Sequence, residues 1–407
     1  MTRRVGLLAV ITGVLTGLAV AGFDRIVFDQ LVERLFDAPL WVQAIAPAIG
    51  LTAAAMLLRW VGRGATPMTA DEYIKNFHDD SHDVDVSLAP ARVLASAATL
   101  GGGAAMGFEG PSIYMGAVIG SFLQSTFPRA FRADDRKLLL VCGAAAGVAA
   151  IFKAPATGLV FALEVPYRQD LARRMLLPAM FSAAASYVVF AAINGTDPLF
   201  RVTGSPPFDV RDLGGAALLG LLSGALARVF SAMLRAAKEV VVRVHPVWRL
   251  AGAAVAVIGL FVVCRGLTGE SLVIGPGYQT IGWAVEPGHA LGLVLAVFAL
   301  RGLATVVAVG AGGAGGLFIP LVVQGSLLGS AMGVVVGGPH TSLFPLLGVA
   351  AFLGAGYRVP LAAVVFIAET TGQAEFVVPA LIAAATSQLL MGSASVTAYQ
   401  QDTRIGR

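Results

Sequence analysis

The sequence predicts an all-α polytopic membrane protein, on three observations. Of its 407 residues, 57% are hydrophobic and only 13% charged, against roughly 25% charged in an ordinary soluble domain. Apolar runs recur along the whole chain, most of them near the ~20 residues a helix needs to cross the hydrocarbon core. The chain also repeats itself, because residues 101–121 match 310–330 at a constant offset of 209. We read a single transmembrane domain over 1–407, with a first half at about 40–200 and a second at about 213–400.

The runs fall near 5–23, 40–60, 92–124, 138–164, 175–193, 213–234, 250–264, 290–310, 314–336, 346–368 and 376–391. The first follows Arg3 and Arg4 and ends on Ala19-Val20-Ala21, which mimics a cleavable signal peptide, but a polytopic body needs only a first span there. Runs such as 92–124 and 138–164 exceed one crossing, so broken helices are expected within them. The net charge of +4 does not point to nucleic acid. Its basic residues sit in short loops beside apolar runs, as in Arg129, Arg132, Arg136 and Lys137, then Arg168, Arg173 and Arg174, then Arg235, Lys238 and Arg243. That distribution is what orients membrane proteins with their basic loops in the cytoplasm. Cys142 and Cys264 lie in apolar surroundings and read as small core residues, not as a disulfide framework.

Within the repeat, Gly101/Gly310, Gly103/Gly312, Gly107/Gly316, Pro111/Pro320, Gly116/Gly325 and Ser121/Ser330 coincide. A second block at offset 205 matches Gly143/Gly348, Pro155/Pro360, Phe161/Phe366 and Glu164/Glu369, with Phe152/Tyr357 and Lys153/Arg358 as chemical equivalents. Shared glycine richness does not place Pro, Phe and Glu in register. Halves that each carry a Gly- and Pro-interrupted apolar segment at the same place point to a transport site at the repeat interface. The interruptions are Gly107-Phe108-Glu109-Gly110-Pro111 and Gly316-Leu317-Phe318-Ile319-Pro320. Proline is tolerated in a helix's first turn, so each pentapeptide reads as a loop feeding a helix N-terminus. Such an end presents free N–H groups and the positive end of the macrodipole, which together bind an anion. Kinks for tight helix packing are the plainer reading of either motif alone. The repetition, with an acid in only one copy, favours function, since an ionisable group at membrane depth is costly and marks an ion or proton pathway.

These motifs resemble those of the CLC family of chloride channels and chloride/proton exchangers. Gly107 to Pro111 is similar to the family's Gly-Arg-Glu-Gly-Pro, Gly316 to Pro320 to its Gly-x-Phe-x-Pro, and 143–164 to its segment containing Asn-Ala-Pro. The resemblance implies two inverted halves of tilted, broken helices, a homodimer with one anion pathway per subunit, and residence in the cell membrane as in a bacterial inner-membrane protein. It implies that Glu109 is the gate, its carboxylate competing with the anion for the same N–H donors, and that Phe108, Glu109, Gly110, Leu317 and Phe318 line the anion sites. No enzyme activity, cofactor or metal is called for.

Four departures matter. Phe108 replaces the family's usual arginine and removes a positive charge. The early Gly-Ser-Gly-Ile-Pro motif survives only as Arg63-Gly64-Ala65-Thr66-Pro67, which leaves Gly64 in the serine's slot with Thr66 beside it. The pore tyrosine falls on Tyr399, or on Thr397 with a shift of two residues. The cytoplasmic acid of many exchangers is Val165, which carries no proton, so no proton relay is read there. Glu164 and Glu369, being repeat mates, read as structural. The expectation is therefore a passive channel for small anions, chloride first, with a chloride/proton or fluoride/proton antiporter as the alternative. Lys153 either draws anions into a vestibule or snorkels to the interface. The stretch His78 to Asp85 has metal-ligand residue types in no recognised spacing and reads as a solvated loop. A metal-dependent membrane enzyme built on it is the remote alternative, and no H-E-x-x-H, P-loop or G-x-S-x-G accompanies it.

Overall fold

In a computed structural model, residues 2–79, 84–132, 135, 137–196, 209–337 and 343–402 are described. Hydrocarbon offers no partner to a backbone N–H or C=O, so a spanning chain must satisfy these groups within each segment, which a helix does. Helices dominate accordingly. In the first half they are α1 (Arg3–Asp24), α2 (Glu33–Asp37), α3 (Leu40–Trp60), α4 (Thr69–His78), α5 (Ala89–Gly101), α6 (Glu109–Thr126), α7 (Leu138–Ile151), α8 (Pro155–Glu164) and α9 (Leu176–Asn194). In the second they are α10 (Val210–Arg243), α11 (Pro246–Thr268), α12 (Tyr278–Val285), α13 (Leu291–Gly310), α14 (Phe318–Val336), α15 (Leu343–Tyr357), α16 (Pro360–Thr371) and α17 (Val377–Met391). Among the described residues, eight helical stretches are long and apolar enough to cross a membrane by length and composition, and the chain is a multi-pass membrane protein. Cys142 and Cys264 are buried and free.

The broken helices fall where the sequence interrupts itself. Run 92–124 divides into α5 and α6 around the loop 102–108, and run 138–164 into α7 and α8 at Lys153. Lys153 sits at φ 53° and its mate Arg358 at φ 58°, a left-handed conformation rare for side chains with a Cβ. Gly103 and Gly312 likewise share φ 81° and 80°, where glycine carries no penalty.

Packing is duplicated too. α6 lies on α7 as α14 lies on α15, and α1 packs on α7 and α9 as α10 packs on α15 and α17. The contacts are close because glycines meet backbone: a Cβ at Gly116 would strike the Gly143 carbonyl, and one at Gly325 the Gly348 carbonyl. Small residues permit this approach where no hydrophobic force drives helices together. Glu164, ending α8, accepts from the Leu361 and Ala362 amides of α16 at 3.2 and 2.9 Å. Glu369 of α16 accepts from Ala156 N, Thr157 N and Thr157 Oγ1 of α8 at 2.8–2.9 Å. Each repeat mate thus caps the other's helix, a reciprocity that requires a local two-fold axis between the halves.

Candidate anion site

At that axis the two interrupted loops meet. Gly107 N donates to Gly316 O at 2.9 Å and Gly316 N to Gly107 O at 2.7 Å. This is an antiparallel bridge between a residue and its own repeat mate. Immediately beyond it α6 starts at Glu109 and α14 at Phe318, so two helix N-termini face each other inside the bundle, with first-turn amides that have no intrahelical partner.

The Glu109 side chain fills this place. It is fully buried, and its Oε1 accepts from Phe318 N at 2.5 Å, with the amides of Glu109 and Ile319 also facing it. The carboxylate lies against Gly107 and Gly316, where a Cβ at either position would overlap it. Oε2 has no hydrogen-bond partner among the described residues. The carboxylate thus lies on first-turn amides of the kind that hold free anions at helix N-termini.

Aromatic rings wall the site. Phe318 packs on Phe152, Phe161 and Phe366 with centroids at 4.5, 5.4 and 4.9 Å. Phe108, where a positive charge would have been expected, is buried edge-on to Phe23 and Phe28 at 5.9 and 6.0 Å. Gly110 must remain bare: a Cβ there would stand 2.5 Å from Thr69 Oγ1 and 2.7 Å from Gly316 N.

That contact identifies a residue the sequence did not single out. Thr69 is the first residue of α4, fully buried, with an unpartnered hydroxyl beside Gly110. Gly64 instead occupies a turn with open space around it, and Thr66 bonds Glu72 and Arg92. The structure brings Thr69 beside Gly110, and neither Gly64 nor Thr66. The signal was available, since Pro67 and Pro276 stand at the 209 offset, as do Arg92 and Arg301, and Thr69 and Tyr278. Both arginines are buried and brace the loops before α4 and α12. Arg92 donates to Thr66 O at 3.2 Å, and Arg301 to Ile274 O and Gly275 O at 3.0 and 2.7 Å.

Tyr399 is 47% exposed and does not join the site. Thr397 is buried, with its hydroxyl 3.1 Å from Ser395 Oγ in the loop that Lys238 anchors through Val396 O. The buried tyrosine against the site is Tyr357, whose ring lies 6.4 Å from Phe318 and whose hydroxyl faces the Leu317 amide. Val165 is buried, its carbonyl bonded by Gln400. Lys153 Nζ donates to Asn194 O at 3.2 Å. Of the stretch His78 to Asp85, read as a solvated loop, residues 80–83 lie outside the described residues. His78 Nε2 pairs with Pro166 O at 2.7 Å, and no metal-type cluster occurs among the described residues.

Comparison with known proteins fits this geometry. The family profile described as "Voltage gated chloride channel" matches residues 49–392. The "H(+)/Cl(-) exchange transporter ClcA" of Cronobacter sakazakii is 28% identical over 94% of this chain and 85% of its own. The protein of the same name from Salmonella typhimurium is 30% identical over 74% of this chain and 65% of its own. Among solved structures, a slow cyanobacterial Cl-/H+ antiporter superposes with TM-score 0.82 at 22% identity, over 96% and 95% of the two chains. A CLC-type fluoride/proton antiporter does so with 0.83 at 22%, over 99% and 100%. The chain therefore belongs to the voltage-gated chloride channel family, the CLC proteins, which are membrane transport proteins and not enzymes.

Proposed function

We propose that this protein exchanges chloride for protons across the membrane, with Glu109 as the group that binds both the proton and, by yielding its place, the anion. The observation that carries this reading is the docking of the Glu109 carboxylate on the Phe318 amide at 2.5 Å with its second oxygen unpartnered. One position cannot hold a carboxylate and an anion together, so a proton on Glu109 and an anion at the α14 N-terminus accompany each other. The relatives named as H(+)/Cl(-) exchange transporters support exchange over the passive channel expected from Val165. An apolar residue at that position removes one proton stop and leaves the coupling at Glu109 intact. The anion's donors are the amides of Gly110, Phe318 and Ile319, with the Thr69 hydroxyl. A two-subunit assembly in the bilayer accompanies this proposal.

Liposomes loaded with chloride and holding purified protein test it. Chloride leaving down its gradient is expected to draw protons inward against theirs, with a reversal potential that depends on both gradients. A reversal potential set by chloride alone would establish the passive channel instead. The same liposomes with nitrate, bromide or fluoride read the selectivity.

A further inference from the structure

Three arginines converge on a cavity that the Glu109 site does not use. The cavity, of about 620 Å³, has Glu164, Arg168, Asp170, Arg173, Arg358 and Gln388 in its wall. It lies where the end of α8 meets the start of α16 and the end of α17. Arg168 and Arg173 belong to the basic loops that face the cytoplasm, so the cavity is on the inner side.

The two carboxylates in its wall are already engaged. Glu164 accepts from the Leu361 and Ala362 amides. Asp170 Oδ1 accepts from Leu171 N at 2.7 Å and stands 4.0 Å from Arg173. The guanidiniums are less completely answered. Arg358 is 7% exposed, and its Nη1 donates to the Gly392 carbonyl, yet its Nε–H has no hydrogen-bond partner among the described residues. Arg168 Nη1 meets Asp402 Oδ1 at 2.9 Å, but the Asp402 side chain is 73% exposed, and so exposed a partner offsets little. The Arg168 Nε–H is likewise unpartnered among the described residues. Buried donors nearly always find an acceptor, and one left over calls for a water or an ion to satisfy it. Two arginines of one cavity in this state point to an acceptor that both share.

The chemistry of that acceptor follows from the donors. A guanidinium is a planar fork that matches two oxygens of an oxyanion, a geometry a spherical halide cannot use in full. The volume suits a small molecule, since ligand pockets span about 300–1,000 Å³. We propose that Arg168, Arg173 and Arg358 form a cytoplasmic binding site for a phosphate group, carried by a soluble phosphate compound or by an anionic lipid headgroup. It is separate from the Glu109 site, where the donors are backbone amides. The bound phosphate spans the two halves, because Arg168 follows α8 of the first and Arg358 precedes α16 of the second. It also competes with Asp402 for Arg168, beside the pairing of Arg168 N with Gln401 O at 2.8 Å and of Gln401 N with Pro166 O at 3.2 Å.

Pyrophosphate titrated calorimetrically into the purified protein in neutral detergent reads the site with no ion gradient present, and so apart from transport. Saturable binding is expected. Arg358→Gln and Arg173→Gln are each expected to weaken it at least about tenfold, the scale of a charge-assisted hydrogen bond. The Arg173 side chain is 83% exposed, so its variant keeps the packing intact even where Arg358→Gln does not fold. Asp402→Asn is expected to tighten binding about two- to fivefold, as a weak competitor is lost. Glu109→Gln is expected to leave it unchanged. Native mass spectrometry with added phosphatidic acid reads the lipid source: retention by the parent protein and loss from both arginine variants assigns the phosphate to a headgroup, and pyrophosphate binding without such retention assigns it to a soluble compound. Failure of both probes to bind, or equal binding by the parent protein and Arg173→Gln, overturns the site. A tenfold change of pyrophosphate affinity in Glu109→Gln overturns its separation from the transport site.

Discussion

Glu109→Gln removes the charge from the group that occupies the anion's place while keeping its shape. Hydrogen bonds to a charged acceptor contribute about 1.5–3 kcal/mol, against about 0.5–1.5 kcal/mol for neutral pairs. The helix end adds about 0.3–1 kcal/mol for a negative charge. The carboxylate receives one short bond from Phe318 N, so an amide holds the site more weakly by about 1–3 kcal/mol on these figures. At about 1.4 kcal/mol per decade, competition falls by about ten- to a hundredfold. Chloride titrated calorimetrically into the purified variant is expected to bind tighter by that factor at neutral pH. The sign of the pH dependence follows from the same competition. In the unsubstituted protein, binding strengthens as pH falls, because a proton on Glu109 removes the competing charge. In the variant the profile is flat. Identical affinity and an identical pH slope in the two proteins would refute the placement of Glu109 as competitor.

Other substitutions read other parts of the site. Gly110→Ala puts a methyl 2.7 Å from Gly316 N and 2.8 Å from Gly315 C, and backbone cannot turn aside as a side chain can, so chloride flux is expected to fall at least about tenfold. Thr69→Val keeps the volume and removes the hydroxyl. Flux ratios among chloride, nitrate and bromide are expected to converge within about twofold, while the thermal midpoint in detergent stays within about 2 °C, the effect of a few tenths of a kcal/mol. Glu369→Gln weakens the caps on Ala156 N and Thr157 N. It is expected to cost about 1–2 kcal/mol, visible as an earlier thermal transition, with little change in coupling ratio.

Much of the fold and site is legible because the chain is written twice. The 209 offset aligns Gly107 with Gly316, and those two residues exchange both hydrogen bonds. The pairing of Glu164 with Glu369 as mates is visible as well, but not that each caps the other's helix, since sequence does not show which way an axis turns one half onto the other. Thr69 is hidden because the motif that resembles the family's ends at Pro67. The helix begins only after Met68, so its first hydroxyl lies two residues past the proline. The terminal stretch 392–402 has neither helical period nor repeat mate, leaving the register of Thr397 and Tyr399 unfixed. Tyr399 turns outward to exposure, and Tyr357, in a matched block, takes the buried position.

The repeat also explains why a single acid suffices. Glu109 and Phe318 hold the same position in the two halves, and the carboxylate of one reaches the amide of the other across the axis. Had both positions been acids, symmetry would have set two carboxylates over one pair of facing helix ends, and like charges at that separation do not both ionise. A phenylalanine in the second copy removes the conflict and supplies a wall packed by Phe152, Phe161 and Phe366. The flanking positions diverge in the same way, with a threonine on one side and a tyrosine on the other. Duplication thus builds two facing N-termini that would treat an anion alike from either side. The substitutions that break the symmetry put a threonine at the start of α4 and a tyrosine at the start of α12.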